Sequence, residues 1–351
     1  MRGEDCVARI GGDEFVLLLE GCGDEVEWRV VDARLRDALA RPVRVDGRTL
    51  HVRCSIGVVT SAGEEDVPTL LRDVDMALHA ARRQGRGGYA MLSEPHRQQI
   101  LQDHALELDL PHAVAAEQFV LHYQPIVATA TGEVLGHEAL VRWQHPERGL
   151  LAPGAFLPAV QAGGLMVELG AWVLRTAVRA AARGFGGAAG RDDAAVSVNV
   201  SAQQLVRGDL VATVREAPAE TGLPPARLLL ELTESELLPG TVDVAGVLAE
   251  LRGLGVRLAV DDFGTGWSNL AHLARLPLDV VTVDRSFLLA LPDEHRRDVL
   301  AATVAMTSAL GARCLIEGVE TPEHLALARA VGSDYAQGYL LGRPVPLPDE
   351  A

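Results

Sequence analysis

Two α/β units in tandem, the second an alternation of parallel strands and helices, are what the sequence predicts. Three observations carry this. The chain has 351 residues, 48% of them hydrophobic, enough to bury one large core or two medium ones. From residue 119 onward, short apolar runs rich in β-branched residues alternate with longer Ala/Leu/Arg segments of helical period, as parallel strands joined by helices do. Before that point the rhythm differs, and a polar stretch carrying Pro95 and Pro111 separates the two patterns.

The elements follow in order. Residues 1–92 hold the apolar run "FVLLLE", a helical stretch around "VDARLRDALA", the strand-like "HVRCSIGVV", and a helix near "LLRDVDMALHAARRQ" stopped by "GRGG". That is a small α/β unit. Residues 93–118 read as a helix-prone hinge, and residues 119–346 as the second domain. Its expected strands are "FVLHYQPIV", "VLGHEALVRW", "AVSVNVS", "RLLLELTES", "VRLAVDDFG", "VVTVDRS", "RCLIEGVE" and "DYAQGYLL".

Six of these runs carry a carboxylate or amide at or near their ends: Glu138, Asn199, Glu231, Asp261 with Asp262, Asp284 and Glu317. In a closed barrel such residues converge at the C-terminal mouth, where barrel enzymes keep their chemistry. Gathered carboxylates repel one another, and burying even one uncompensated charge is costly. The chain contains no lysine at all; every basic residue is arginine. An oxygen-only donor set of this kind suits hard divalent cations such as Mg²⁺ or Mn²⁺. Two such ions can clamp a phosphodiester, so the residues point to metal-dependent phosphodiester hydrolysis.

Composition excludes several other classes. The formal charge of −16 disfavours sequence-independent nucleic-acid binding. Cys6, Cys22, Cys54 and Cys314 are scattered, without zinc-finger spacing, and read as reduced thiols of a cytoplasmic protein. No apolar stretch has the length of a membrane span, and Arg2, Glu4 and Asp5 do not fit a signal peptide.

The motifs "GHEALVRWQHPERGLL", "SVNVSAQQL", "LLLELTES", "VDDFGTGWSNL", "VDRSF", "IEGVET" and "AQGYLLGRP" together resemble the EAL family of cyclic di-GMP phosphodiesterases, across essentially all of residues 119–346. Likewise "RGEDCVARIGGDEFVLLLE", "CSIGV" and "DVDMALHAARRQGRGG" resemble the C-terminal half of a GGDEF diguanylate cyclase domain. The resemblance implies an EAL-type (β/α)8 TIM-like barrel preceded by a partial GGDEF α/β domain. It implies metal ligands at Glu138, Asn199, Glu231 and Asp261, with Asp262 and Asp284 at a second ion. Glu234 matches the glutamate that orders the loop beside the paired aspartates, and Glu317 the one near the attacking water. Gln124, Arg142 and Gln337 match substrate contacts, and the implied product is linear pGpG. A homodimer through the EAL domain is compatible with the family.

One position departs from the family pattern. EAL enzymes place lysine where this chain has Thr282, and the loss of that cation is associated with low or absent activity. Removing one charge-stabilising group of this kind typically costs about 10²–10³ in rate. The reading therefore favours a slow hydrolase, with a non-catalytic cyclic di-GMP receptor or a dimerisation module as the alternatives. In the N-terminal unit, Gly11, Gly12, Asp13, Glu14 and Phe15 form the GGDEF motif, and Arg2 and Asp5 match an inhibitory RxxD site. The chain begins ten residues before Gly11, so cyclase activity is not expected from it.

Blander roles stay open beside these. The GGDEF glycines serve a hairpin turn equally well. Glu231 and Glu234 fit a capping box, and Asn199 or Ser201 fits a helix cap. His122, His137 and His145 read as core or surface residues, and Trp143 and Trp267 as packing.

Overall fold

The computed structural model describes residues 5–21, 25–39, 42–45, 48–50, 54–61, 66–83, 89–92, 106, 108–110, 112–113, 116–185, 194–207, 210–234, 244–264, 274–289 and 293–347. The chain divides into two compact units, Met1–His104 and Ala105–Ala351.

In the first unit, β1 (Cys6–Gly11) and β2 (Glu14–Leu18) form an antiparallel hairpin. Gly12 turns it with φ +47°, and the Arg9 guanidinium donates to the Gly12 carbonyl at 3.0 Å. Helix α1 (Glu25–Leu39) and a second hairpin, β3 (Val43–Val45) with β4 (Arg48–Leu50), follow. Strands β5 (Ile56–Val59) and β6 (Tyr89–Leu92) then pair in parallel, joined by α2 (Val67–Arg83). Asp66 caps α2 by accepting from the Thr69 N–H at 2.9 Å, and the Thr69 hydroxyl and amide hold its carboxyl below the ordinary range. The predicted elements are present here. The "GRGG" stop lies outside the described residues.

The second unit is the barrel. Its elements are β7 (Phe119–Ala128), β8 (Val134–His145), β9 (Gly149–Leu151), α3 (Pro153–Ala162), α4 (Met166–Ala182), β10 (Ala195–Asn199), α5 (Ala202–Arg207), α6 (Leu210–Thr221), β11 (Leu228–Thr233), α7 (Val244–Gly253), β12 (Arg257–Phe263), β13 (Val280–Val283), α8 (Ser286–Leu289), α9 (Asp293–Ala309), β14 (Arg313–Ile316), α10 (Pro322–Ala330) and β15 (Tyr335–Ala336). Strands pair in the order β10-β11-β12-β13-β14-β15-β7-β8, and β8 pairs with β10 to close the ring. At that seam Gly136 lies opposite Ala195, and a Cβ on Gly136 would run into the Ala195 carbonyl.

The all-parallel expectation needs one correction. Strand β7 is antiparallel to both β8 and β15. The cause is chain length: the link from Ala128 to Val134 is a tight turn closed by Ala128 N–H to Glu133 at 2.8 Å, and a parallel crossover needs about a dozen residues. Strand β9, which was not anticipated, extends β8 as a further antiparallel partner.

Strand alternation sorts the side chains. Val196, Val198, Leu228, Leu230, Leu232, Leu258, Val260 and Val281 point outward into one core with Leu169, Val173, Leu174, Ala177 and Val178 of α4. Ile126, Leu229, Ala259, Val280 and Leu315 point inward, form a separate apolar cluster with Tyr335 packed against it, and make the floor of the lumen. Two residues further along each of β11, β12 and β14, the same inward parity reaches Glu231, Asp261 and Glu317. On β13 it reaches Thr282 and then Asp284.

Candidate active site at the barrel mouth

Glu138 sits at the centre. It is buried on β8, accepting from Asn199 Nδ2 through Oε1 and from Gln337 Nε2 through Oε2, both at 2.7 Å. Gln337 Nε2 also donates to Gln124 Oε1 at 3.2 Å, and Gln124 Nε2 donates to the Gly342 carbonyl at 3.1 Å. Strands β7, β8, β10 and β15 are thereby linked through amides to one carboxylate. Burial pushes Glu138 above the usual carboxylate range, and the Gln337 and Asn199 amides and the Arg142 charge oppose that rise. Arg142, half-buried, has its own pKa lowered by burial and partly restored by Glu138.

The other carboxylates share this field. Glu231, 2% exposed, is held well above its ordinary range by burial and by Glu138 and Asp261. Asp261 is pushed up to about 7 by burial, then by Asp262 and Glu138. Asp262 is raised by burial and by Asp284. Burial raises Glu317 well above its range, with Glu138, Asp261, Glu231 and Asp262 all adding to the effect. Groups separated by up to 179 positions along the chain, Glu138 and Glu317, therefore sense one another directly.

How two adjacent aspartates can serve one pocket is a matter of backbone. Successive strand residues normally face opposite sides of a sheet. Here Val260 pairs with Val281 and Phe263 with Val283, so Asp261 and Asp262 together oppose Thr282 in a β-bulge. Asp262 adopts φ +54°, a left-handed conformation uncommon outside glycine, and its N–H donates to Asp261 Oδ1 at 2.8 Å. Glu234, buried just past β11, accepts from the Gly264 N–H at 3.3 Å and so holds the segment that leaves the bulge. Asp284 accepts from the Ser286 N–H at 2.9 Å as the chain turns out of β13.

Thr282 is fully buried, and its hydroxyl finds no hydrogen-bond partner among the described residues.

Glu231 lies within β11, and Glu234 bonds to a residue thirty positions away; residues 235–243, which follow it, lie outside the described residues. Ser201 and Gln204 bond to each other at the start of α5, leaving Asn199 to Glu138. His145 accepts from the Glu147 and Arg148 amides on Nδ1 and meets Asp109 through Nε2 at 3.2 Å. His137 packs on Phe185, and Trp143 is fully buried against Phe119 and Phe156. Trp267 lies outside the described residues. Gly11, Gly12, Asp13 and Glu14 are exposed in the β1–β2 hairpin, Phe15 is 59% exposed, and Glu14 pairs with Arg82 at 3.1 Å. Asp5 immediately precedes β1, and Arg2 lies outside the described residues.

Sequence reasoning missed Tyr339 and Arg343. The Arg343 guanidinium lies 4.3 Å from the centre of the half-exposed Tyr339 ring, and Tyr339 acts electrostatically on Arg142. Their signal was proximity, two and six residues beyond Gln337.

The donor chemistry fits a hard cation: every group is oxygen-bearing, and several carboxylates are buried together with little compensating positive charge. The positions are not closed on one point. Among the described residues no three His, Cys, Asp or Glu side chains are grouped to hold a single ion. The Glu138 oxygens both face amides and Asp261 Oδ1 faces a backbone N–H, so side chains must turn for an ion to enter.

Comparison with known proteins bears on this site. Residues 107–344 match the EAL domain model, and residues 1–88 match the model described as diguanylate cyclase, GGDEF domain. The cyclic di-GMP phosphodiesterase NbdA of Pseudomonas aeruginosa is 40% identical over 349 residues, covering 99% of this chain and 44% of that protein. The bifunctional diguanylate cyclase/cyclic di-GMP phosphodiesterase MucR of the same species is 36% identical over 348 residues, covering 99% and 50%. The chain thus spans about half the length of the curated relatives it matches. A solved structure titled PaMucR phosphodiesterase, c-di-GMP complex, superimposes with a TM-score of 0.65 at 40% identity, over 70% of this chain and 99% of that one.

Proposed function

The chain belongs to the EAL-domain family, and from that premise we propose that it hydrolyses cyclic di-GMP to linear pGpG. The observation that carries the proposal is the mutual field of Glu138, Glu231, Asp261, Asp262 and Glu317 at one barrel mouth. A purely structural pocket gains nothing from such repulsion.

In this reading Glu138, Asn199, Glu231 and Asp261, with Asp262 and Asp284, hold two divalent ions, Mg²⁺ or Mn²⁺. When bound, the ions supply Lewis-acid charge and acidify water. The chain's own groups do the rest. Arg142 offers a planar fork to a phosphate oxygen, and Gln124 and Gln337 orient the dinucleotide. Glu317, whose carboxyl is raised by burial and by its acidic neighbours, is the group assigned to take a proton from the incoming water. Water adds to one phosphorus, the bond to the 3′ oxygen breaks, and the second phosphodiester stays intact. Diguanylate cyclase activity is not part of the proposal. A cytoplasmic location accords with Cys6, Cys54 and Cys314 being unpaired, and among the described residues no helix is long and apolar enough to cross a membrane.

A second reading, a receptor that binds the dinucleotide without cleaving it, is favoured by one observation. Thr282 faces the paired aspartates with a neutral hydroxyl, in a chain without lysine.

One experiment separates the two. Purified protein with Mn²⁺ and cyclic di-GMP is expected to form pGpG slowly, and Thr282→Lys to raise the rate by about 10²-fold with unchanged affinity. No product from either protein over hours at high enzyme concentration, with binding retained in chelator, overturns the hydrolase in favour of the receptor.

A further inference from the structure

The strand ends bearing Asp261, Asp262, Asp284 and Glu317 belong to β12, β13 and β14, three consecutive neighbours in the sheet. Their charges repel, and Asp262 is additionally strained. A left-handed non-glycine residue persists only where its surroundings over-determine it. Something has to hold these ends in register.

The turn after Asp284 is built to do so. Asp284 accepts from Ser286, the Phe287 N–H donates back to the Asp284 carbonyl at 3.1 Å, and α8 begins. Leu288 is fully buried in the cluster with Val283, Leu300 and Ile316, and Phe287 packs against the same cluster. On one side the Phe287 ring lies on Gly264, the second residue after the aspartate bulge. A Cβ on Gly264 would fall onto the ring edge, and Gly264 takes φ +93°. On the other side Arg285 lies on Gly318, the residue after Glu317. A Cβ on Gly318 would collide with Arg285 Cβ, and Gly318 takes φ +71°. Two glycines in left-handed conformations thus admit the same short segment from both flanks.

We propose that the Arg285–Phe287 turn is a wedge and that Phe287 is a positioning residue for the acidic site, acting through Gly264 on Asp261 and Asp262. Together with the Glu234–Gly264 bond it clamps the exit of the bulge, so that the paired carboxylates meet Asp284 and Glu317 at a fixed spacing. The inference rests on the reading of the mouth as a metal-dependent hydrolytic site, and the test below keeps the two separable.

Full-length Phe287→Ala, Phe287→Leu and, as a control on the exposed end of α8, Leu289→Ala are compared with the parent chain. Hydrogen exchange without metal is expected to speed up about tenfold in Phe287→Ala at residues 261–264 and 317–318, while 195–199 and 228–233 keep parental rates. Titration with Mn²⁺ alone is expected to show about tenfold weaker uptake, and kcat to fall roughly 10–100-fold with KM within about twofold. Phe287→Leu, which refills part of the ring's volume, should recover most of each loss, and Leu289→Ala should change nothing. Parental exchange at 261–264 in folded Phe287→Ala overturns the wedge. So does loosening spread equally through 195–199 and 228–233, which marks general packing. If Phe287→Ala fails to fold, the Phe287→Leu exchange pattern decides by the same criteria. If the parent takes up no Mn²⁺ and yields no product, the hydrolytic reading falls, while the exchange pattern still decides the wedge.

Discussion

The two units invest their apolar residues very differently. In the barrel, every strand buries its outward face and the closed ring leaves no free edge among its eight strands. In the first unit, the buried apolar side chains among the described residues are Trp28, Ala77 and Ala81. Its β1–β2 hairpin exposes Val7, Ile10, Phe15 and Leu18 and pairs with no further strand among the described residues. A two-stranded hairpin is marginal in water by itself. The contrast shows what a cluster of repelling carboxylates needs beneath it. Among the described residues, it is the barrel whose buried core underlies strained, charged strand ends.

The largest effect expected from this contrast is on stability. Leu230→Ala, at a fully buried position of β11, should lower the barrel's unfolding free energy by about 3 kcal/mol, since it loses both transfer energy and packing. Leu18→Ala, at a position 60% exposed in β2, should change the stability of either unit by less than about 0.5 kcal/mol. Denaturant titration followed by circular dichroism checks both. A loss at Leu18 equal to that at Leu230 would break the comparison.

A smaller effect sharpens it. Glu138, Glu231, Asp261 and Glu317 all have raised pKa values in the folded chain, Asp261 near 7. For a carboxyl shifted upward, the folded state keeps a proton that the unfolded state has already released. Its contribution is fully present below the unfolded value, near pH 4, and is lost as pH rises through the folded value. Metal-free barrel should therefore lose on the order of 2 kcal/mol between pH 4 and pH 7.5, seen as a melting temperature lower by several degrees. Saturating Mn²⁺ should flatten that slope, because an ion bound to the carboxylates replaces the protons. A melting temperature that climbs over the same interval without metal would contradict the shared field.

Much of this site was legible in the sequence because strands advertise themselves twice, through β-branched apolar runs and through polarity at their ends. Glu138, Glu231, Asp261, Asp284 and Glu317 could be grouped at one mouth from their places at or near the ends of apolar runs, once those runs are taken to close into a barrel. Three features could not. The reversal of β7 depends on the shortness of the Ala128–Val134 link, which the alternating pattern does not weigh. The bulge that turns Asp261 and Asp262 to one pocket is a two-against-one register with Thr282, and register is a property of two strands together. The amide pair on Glu138 joins residues up to 199 positions apart, and neither Asn199 nor Gln337 reveals its partner locally. In the first unit β2, α1, β5 and α2 were legible, whereas β1, β3, β4 and β6 were not anticipated, their short runs carrying little apolar periodicity.

The smallest effect expected concerns Thr282, where the well-packed barrel carries a polar defect of its own. Its hydroxyl is fully buried without a partner among the described residues, directly across from the aspartate bulge. An unmet buried donor costs about 1–3 kcal/mol, whereas an apolar group of the same shape removes that cost. Thr282→Val should accordingly raise the metal-free unfolding free energy by roughly 0.5–1 kcal/mol, part of the gain being offset by imperfect packing of the new methyl. Substituting Val for Thr60 at the exposed end of β5 should do nothing measurable, since water already serves that hydroxyl. If Thr282→Val instead destabilises by 1 kcal/mol or more, the hydroxyl has a partner in solution. An ordered water held between Thr282 and the paired aspartates would then be the feature that distinguishes this mouth from the floor below it.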